Sequence, residues 1–316
     1  MAERSRGRIL LSLTGQDAGH WARLLGQGYE VVTERAWPAD PSIDYAVVWK
    51  HPAGVLSGLP GLKLVISTGA GVDHVFSDPD LPDVPILRVV AQNLTVHMTE
   101  YVVWRVMDHH RQGMTYRARQ AERNWQENGQ KTADEVAVGI MGLGQLGRAA
   151  ARALLALGFR VNGWTRNPRQ VAGVTTFHSD AGLKDFLAAT DILVVLLPHT
   201  PATEGIVDYD LLRGLRRDNA LGGAVLVNAG RGKLQKEADI LRALDDGTLK
   251  EASLDVFEEE PLPRTSPLWA HPRVFVTPHA AATSDPEHLA PLMLEQIARF
   301  ERGEPLDNLV DRQAGY

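Results

Sequence analysis

Arg231, Glu260 and His279 are the residues of this 316-residue chain whose types and spacing best fit acid/base chemistry on a small anion. Each stands just past a short apolar run: Arg231 after 224–227, Glu260 after 252–256 and His279 after 274–277. A carboxylate beside an imidazole favours the imidazolium and orients the ring, which makes a general acid near neutral pH. An arginine adds a planar fork that matches a substrate carboxylate. Read singly, Arg231 is a surface charge, Glu260 part of the solvated acidic turn Glu258-Glu259-Glu260, and His279 a structural histidine. Read together at strand ends, they converge on the crevice that open parallel sheets offer to ligands.

A second group of residues points to a dinucleotide. Gly142-Leu143-Gly144-Gln145-Leu146-Gly147 follows the apolar run 136–141 and opens a helical pattern. The first glycine permits a tight turn, the second lets a pyrophosphate approach the backbone, and the third lets helix and strand pack closely. The phosphates then meet a helix N-terminus. NAD-binding versions of this unit end the next strand in an acidic residue that holds the ribose hydroxyls. Here the run 160–164 is followed by Thr165-Arg166-Asn167, with Arg169 close behind. Thr165 can hydrogen-bond a 2′-phosphate and Arg166 can pair with it, so NADP(H) is the expected cofactor and NAD(H) the alternative.

The elements that must position these groups are short strands alternating with helices. Apolar runs recur at 9–13, 43–49, 62–67, 136–141, 160–164, 192–197, 224–227, 252–256 and 274–277, with helical patterns at 145–157, 236–244 and 286–302. Strands apolar enough to be covered on both faces predict parallel sheets and an α/β class. From about 95 to 124 there is no strand signal, and Met98, Val102, Val103, Val106 and Met107 fall at helical spacing. This predicts one long connecting helix with a domain boundary inside it. His97, His109 and His110 lie on that helix; adjacent histidines point in different directions and no carboxylate completes a metal-ligand spacing. They read as helix-surface or interface residues, and no metal is expected.

Composition narrows the classes further. At roughly 150 residues per domain the length predicts two domains with a cleft between them. Lys and Arg number 33 against 39 Asp and Glu, a formal charge of −6 that disfavours a phosphate backbone, so no nucleic-acid partner is expected. With no cysteine, thiolate nucleophiles, disulfides and thiolate metal sites are excluded, and a cytoplasmic location fits. The basic start at Arg4, Arg6 and Arg8 leads into an apolar run too short for a secretory signal, and no run is long enough to span a membrane.

In order and spacing, 142–147, Asn228-Ala229-Gly230-Arg231-Gly232, Leu254-Asp255-Val256-Phe257-Glu258-Glu259-Glu260-Pro261-Leu262 and Thr277-Pro278-His279 resemble the motifs of the D-2-hydroxyacid dehydrogenases. The resemblance runs over nearly the whole chain. Within that family, Tyr45-Ala46-Val47-Val48-Trp49, Gly69-Ala70-Gly71-Val72-Asp73, Ser266-Pro267-Leu268-Trp269 and Asp311-Arg312-Gln313-Ala314-Gly315-Tyr316 resemble the glyoxylate/hydroxypyruvate reductase A branch.

The resemblance implies two Rossmann-like domains with the active site in the interdomain cleft. The substrate-binding domain is discontinuous, 1–103 plus 284–316, and the dinucleotide-binding domain is 104–283. It implies NADPH-dependent reduction of small 2-keto acids such as glyoxylate and hydroxypyruvate. Arg231 then binds the substrate carboxylate and carbonyl, His279 is the acid/base and Glu260 its partner. Gly142, Gly144, Gln145, Leu146, Gly147, Thr165, Arg166 and Asp255 bind the cofactor, Asp255 near the nicotinamide carboxamide. Gly69, Ala70 and Gly71 take the carboxylate through backbone amides, Trp49 walls the pocket, and the long helix contributes to a homodimer. The family also holds corepressor relatives that keep the glycine motif, so the alternative is a non-catalytic dinucleotide sensor that binds a protein partner. The complete Arg231, Glu260 and His279 set favours the enzyme.

Overall fold

A computed structural model of the protein describes residues 6–33, 41–283 and 285–316; Arg4 and Ser284 lie outside them. The chain divides into two units, Met1–Leu94 with Ser284–Tyr316, and Thr95–Thr283.

In the smaller unit β1 (Arg8–Leu13), β2 (Glu30–Thr33), β3 (Tyr45–Trp49), β4 (Leu64–Ser67) and β5 (Ile86–Arg88) form a parallel sheet in the order β2-β1-β3-β4-β5. Strand side chains alternate between faces. Ile9, Leu11, Tyr45 and Val47 therefore enter one core with Trp21 and Leu25 of α1 (Ala18–Leu25), while Leu10, Ala46 and Val48 enter another with Val75 of α2 (Asp73–Phe76) and Val72 just before it.

The larger unit begins within α3 (Gln92–His110), followed by α4 (Gly113–Ala121). The expected single helix over 95–124 is thus two. Gln112 adopts φ +59°, a left-handed conformation that no α-helix continues through. Its sheet comprises β6 (Ala137–Met141), β7 (Arg160–Thr165), β8 (Val174–His178), β9 (Ile192–Val195), β10 (Ala224–Asn228), β11 (Leu249–Leu254) and β12 (Val274–Val276). All pairs are parallel, in the order β12-β11-β10-β9-β6-β7-β8. The order reverses between β6 and β9, which puts a ligand crevice at the carboxyl end of β6. Helices α5 (Gln145–Ala156), α6 (Ser179–Ala188), α7 (Tyr209–Arg213) and α8 (Glu237–Asp245) connect the strands. Leu193 and Val195 face a core with Phe186 and Leu244; Ile192 and Val194 face the opposite core with Ala150, Leu154 and Val106.

α9 (Pro286–Arg302) returns to the smaller unit and buries Leu289, Met293 and Ile297 against the β1 and β3 core. No helix among the described residues is long and apolar enough to cross a membrane.

Candidate active site

The glycine turn sits at the end of β6, and each glycine has its own reason. Gly142 adopts φ +104°, and a Cβ there would lie 2.8 Å from the Leu196 carbonyl oxygen. A Cβ on Gly147 would lie 2.0 Å from the Gly142 carbonyl oxygen, so the turn closes against the first turn of α5. Gly144 caps α5 and faces open space; a Cβ would meet nothing within 4 Å. Only Gly144 is therefore small for the sake of an incoming group. Gln145 and Leu146 are the first residues of α5, and no acidic residue neutralises that positive end. The arrangement fits a pyrophosphate.

At the end of β7, Thr165 donates its hydroxyl to the Asn167 carbonyl oxygen at 2.7 Å, and Arg166 is exposed. No carboxylate stands at this strand end, so the site suits a ribose carrying a 2′-phosphate. Arg169 donates from Nη1 to the Leu143 carbonyl oxygen at 3.1 Å, tying the β7 loop to the glycine turn. Spacing alone did not assign Arg169 this structural role, because only folding brings 169 beside 143.

Arg231 lies in the loop after β10. Gly230 donates its amide to Asn228 Oδ1 at 3.0 Å, and Asn228 Nδ2 donates to the Arg231 carbonyl oxygen at 3.2 Å. Fully buried Asn228 thus moulds the loop that carries the arginine. A Cβ on Gly232 would lie 1.7 Å from the Phe257 carbonyl oxygen, so this loop presses on the one after β11.

Glu260 and His279 are brought together. His279 Nδ1 lies 2.8 Å from Glu260 Oε2, while Glu260 Oε1 accepts from the Phe257 amide at 3.2 Å. The carboxylate is held from both ends, and His279 Nε2 is the nitrogen left for another partner. Behind them Asp255, 1% exposed, accepts from the Thr277 hydroxyl at 2.6 Å and the Ala280 amide at 2.8 Å on Oδ1, and from the Ala281 amide at 3.0 Å on Oδ2. Tyr101 of α3 lies 2.8 Å from the Thr277 hydroxyl; since that hydroxyl donates to Asp255, Tyr101 donates to Thr277. Burial pushes the Tyr101 phenol up to about 12, so it keeps its proton. Thr277 stood inside a recognised motif without a role, and Tyr101, 176 residues away, gave no signal at all.

In the smaller unit Trp49 ends β3, and 69–71 follow β4. A Cβ on Gly69 would lie 2.3 Å from Trp49 Cζ3, so glycine is required where this loop lies on the indole.

His109 and His110 correct the surface reading: they are 1% and 5% exposed. His109 Nδ1 lies 2.6 Å from Glu251 Oε2 and Nε2 lies 2.8 Å from Ser253 Oγ. Arg105, also fully buried, donates from Nε to the same hydroxyl at 2.9 Å and stacks its guanidinium 3.8 Å from the Phe275 ring. Arg105 and His109 point into the unit because Glu251 and Ser253 of β11 supply their partners, whereas the His110 ring packs edge-on against Phe159. Only His97 of the three is partly exposed. Among the described residues no group of three or more His, Asp or Glu could hold a metal.

A doubly wound parallel sheet with a glycine turn at its switch point is the architecture that binds dinucleotides, and here an imidazole–carboxylate pair follows the ends of β11 and β12. Residues 103–281 match the family model of the D-isomer specific 2-hydroxyacid dehydrogenase NAD binding domain, and the chain belongs to that family. It is 40% identical over 308 residues to glyoxylate/hydroxypyruvate reductase A of Klebsiella pneumoniae strain 342, covering 95% of this chain and 97% of the relative. The NADPH-dependent glyoxylate/hydroxypyruvate reductase of Sinorhizobium meliloti, solved with NADP and sulfate, is 46% identical with a TM-score of 0.93, over 98% of this chain and 100% of that one. A D-isomer specific 2-hydroxyacid dehydrogenase of Xanthobacter autotrophicus Py2, solved with NADPH and MES, is 42% identical with the same TM-score, over 98% and 99% of the two chains.

Proposed function

We propose that this protein is an NADPH-dependent reductase of small 2-keto acids, glyoxylate and hydroxypyruvate foremost. The observation that carries the reading is the Glu260–His279 pair, joined at 2.8 Å with the second imidazole nitrogen left over. A dinucleotide sensor has no need of such a pair, and two of the relatives above bear the names of reductases and the third that of a dehydrogenase.

In this reading the smaller unit binds substrate and the larger binds the dinucleotide. Gly142, Gly144, Gln145, Leu146 and Gly147 take the pyrophosphate; Arg166 takes the 2′-phosphate, as does Thr165 once its hydroxyl turns from the Asn167 carbonyl. Asp255 Oδ2, with one protein donor, has an acceptor site left for the nicotinamide carboxamide. The bound cofactor supplies a hydride. Arg231 holds the substrate carboxylate and steadies the charge that develops on the keto oxygen. His279 Nε2 delivers the proton to that oxygen while Glu260 fixes the ring and balances the imidazolium. Trp49 limits the size of the keto acid, and Ala70 and Gly71 offer amides to its carboxylate. The protein acts as a homodimer in the cytoplasm, without nucleic-acid or membrane partners.

The test is a panel of 2-keto acids with NADPH and with NADH, followed by cofactor absorbance. Fast oxidation of NADPH by glyoxylate and hydroxypyruvate, and slow oxidation by phenylpyruvate, is the expected pattern. No turnover of any keto acid overturns the proposal.

A further inference from the structure

We propose that His74, acting through Ser67, is a positioning residue that shapes the 69–71 loop for the substrate carboxylate; this rests on the reading of that loop as a carboxylate site. His74 is 9% exposed and Ser67 is fully buried. The Lys50 amide donates to His74 Nδ1 at 3.1 Å, so that nitrogen carries no proton and Nε2 does. Nε2 lies 2.9 Å from Ser67 Oγ and donates to it.

Ser67 Oγ also accepts the Gly69 amide at 3.2 Å and turns its own hydrogen toward the carbonyl oxygens of Gly69, at 3.2 Å, and Gly71, at 3.4 Å. One serine hydroxyl therefore grips the loop at both glycines, and one imidazole sets which way that hydroxyl points. Without the Nε2–H donor, Ser67 could turn its hydrogen elsewhere and release both carbonyls. The consequence for binding is specific. The Gly69 amide faces inward to Ser67, whereas among the described residues the Ala70 and Gly71 amides donate to no protein acceptor. These two are the donors left for an anion, and their direction follows from the peptide planes that Ser67 holds.

The same imidazole packs on Trp49, with ring centroids 4.6 Å apart, and Trp49 lies against Gly69. His74 also holds Lys50 at φ +45°, with the Thr14 hydroxyl donating to the Lys50 carbonyl oxygen at 2.7 Å. A non-glycine residue rests at positive φ only where its surroundings fix it, and such places gather at ligand sites. His74 thus ties the pocket wall and the carboxylate loop into one piece.

The experiment uses the full chain with NADPH, glyoxylate as substrate and oxalate as a non-reacting carboxylate probe, whose binding is measured by calorimetry. Ser67→Ala and His74→Leu should each raise the KM for glyoxylate and the Kd for oxalate about 3- to 12-fold, the effect of losing one hydrogen bond, with little change in kcat or in the KM for NADPH. His74→Gln places an amide donor near the Nε2 position and should recover part of the loss that His74→Leu shows. The double variant should be no worse than His74→Leu alone, because both changes remove one unit. Ser67→Ala, which only deletes an oxygen, carries the test should His74→Leu fail to fold. If glyoxylate KM and oxalate binding stay at wild-type values, or if His74→Gln is no better than His74→Leu, the inference is overturned. A wild-type protein that neither turns over glyoxylate nor binds oxalate overturns the proposed function and this inference with it.

Discussion

The amide of His279 donates to the carbonyl oxygen of Asp255 at 2.8 Å, holding His279 at φ +52°. The Asp255 carboxylate ties down Thr277, Ala280 and Ala281 on either side. The imidazole is thus aimed by its backbone as well as by Glu260. Thr277→Val removes a donor to Asp255 and the acceptor for Tyr101, and should lower kcat by about 3- to 12-fold. Tyr101→Phe removes only the outer link and should cost less. Steady-state kinetics with saturating NADPH check the order; equal effects, or none, contradict it.

Removing the imidazole tests the chemistry itself. His279→Ala should reduce kcat/KM by about 10²- to 10⁴-fold, the range for lost general acid catalysis. Glu260→Gln should lose about 10- to 150-fold, the worth of a charge-assisted hydrogen bond. Cofactor affinity, measured by fluorescence titration, should be nearly unchanged in both.

The proposed 2′-phosphate site at the end of β7 makes cofactor choice testable. Arg166→Ala should weaken NADPH by about 10- to 150-fold and leave NADH nearly as it was. Thr165→Asp sets a carboxylate against the 2′-phosphate and should turn the preference toward NADH. Separate titrations with the two cofactors decide this, and equal losses with both contradict the assignment.

Gly144 and Gly147 should respond in opposite ways to the same added methyl group. Gly144→Ala has room and should keep the native melting temperature while losing dinucleotide affinity. Gly147→Ala drives a Cβ into the Gly142 carbonyl oxygen and should destabilise the protein itself. Thermal melts with and without NADPH separate the two.

Buried His109 gives the fold a pH dependence. Desolvation lowers its folded pKa below 6.5, with the Glu251 carboxylate opposing, and burial lowers His110 likewise. Below about pH 6.5 the unfolded chain takes up protons that the folded chain does not. The histidine contribution to stability is therefore full above that pH and falls as the pH drops below it, by up to ~1.4 kcal/mol per pH unit for each group. Urea melts across that range should show the slope, and His109→Asn should flatten it. An unchanged slope in the variant contradicts the assignment.

The readable parts of the sequence were those where local pattern and final structure obey the same rule. Central strands such as β9 and β10, buried on both faces, announce themselves as unbroken apolar runs. The unannounced strands β2, β5 and β8 lie toward or at sheet edges and are short or partly exposed, so nothing demanded such a run. β11 begins at Leu249, but the apolar pattern starts only at 252 because Lys250 and Glu251 interrupt it, and Glu251 is held inside by its pairing with His109. A partner 142 residues away leaves no local trace. The glycine turn and the Glu260–His279 pair were legible because their chemistry needs particular residue types. The residues behind the site, Asn228 under the Arg231 loop and Thr277 and Tyr101 beside the His279 segment, are common types whose work appears only in three dimensions.

The return of α9 to the smaller unit has a consequence for how the protein is made. The hydroxyls of Tyr29 and Tyr45 both donate to Glu301 at 3.1 Å, and Tyr45 stacks edge-on against Phe300. On a ribosome, the strands β1 to β5 emerge before the larger unit yet must wait until it has been made before Leu289, Met293, Ile297 and Phe300 arrive to complete, with α1, the cover of one face of their sheet. The larger unit, continuous in sequence, can complete its core during that wait. The smaller unit is thus the later of the two to mature although its strands are made before the larger unit, and in the interval the apolar surface beside α1 that α9 will cover is what a chaperone has most reason to shield.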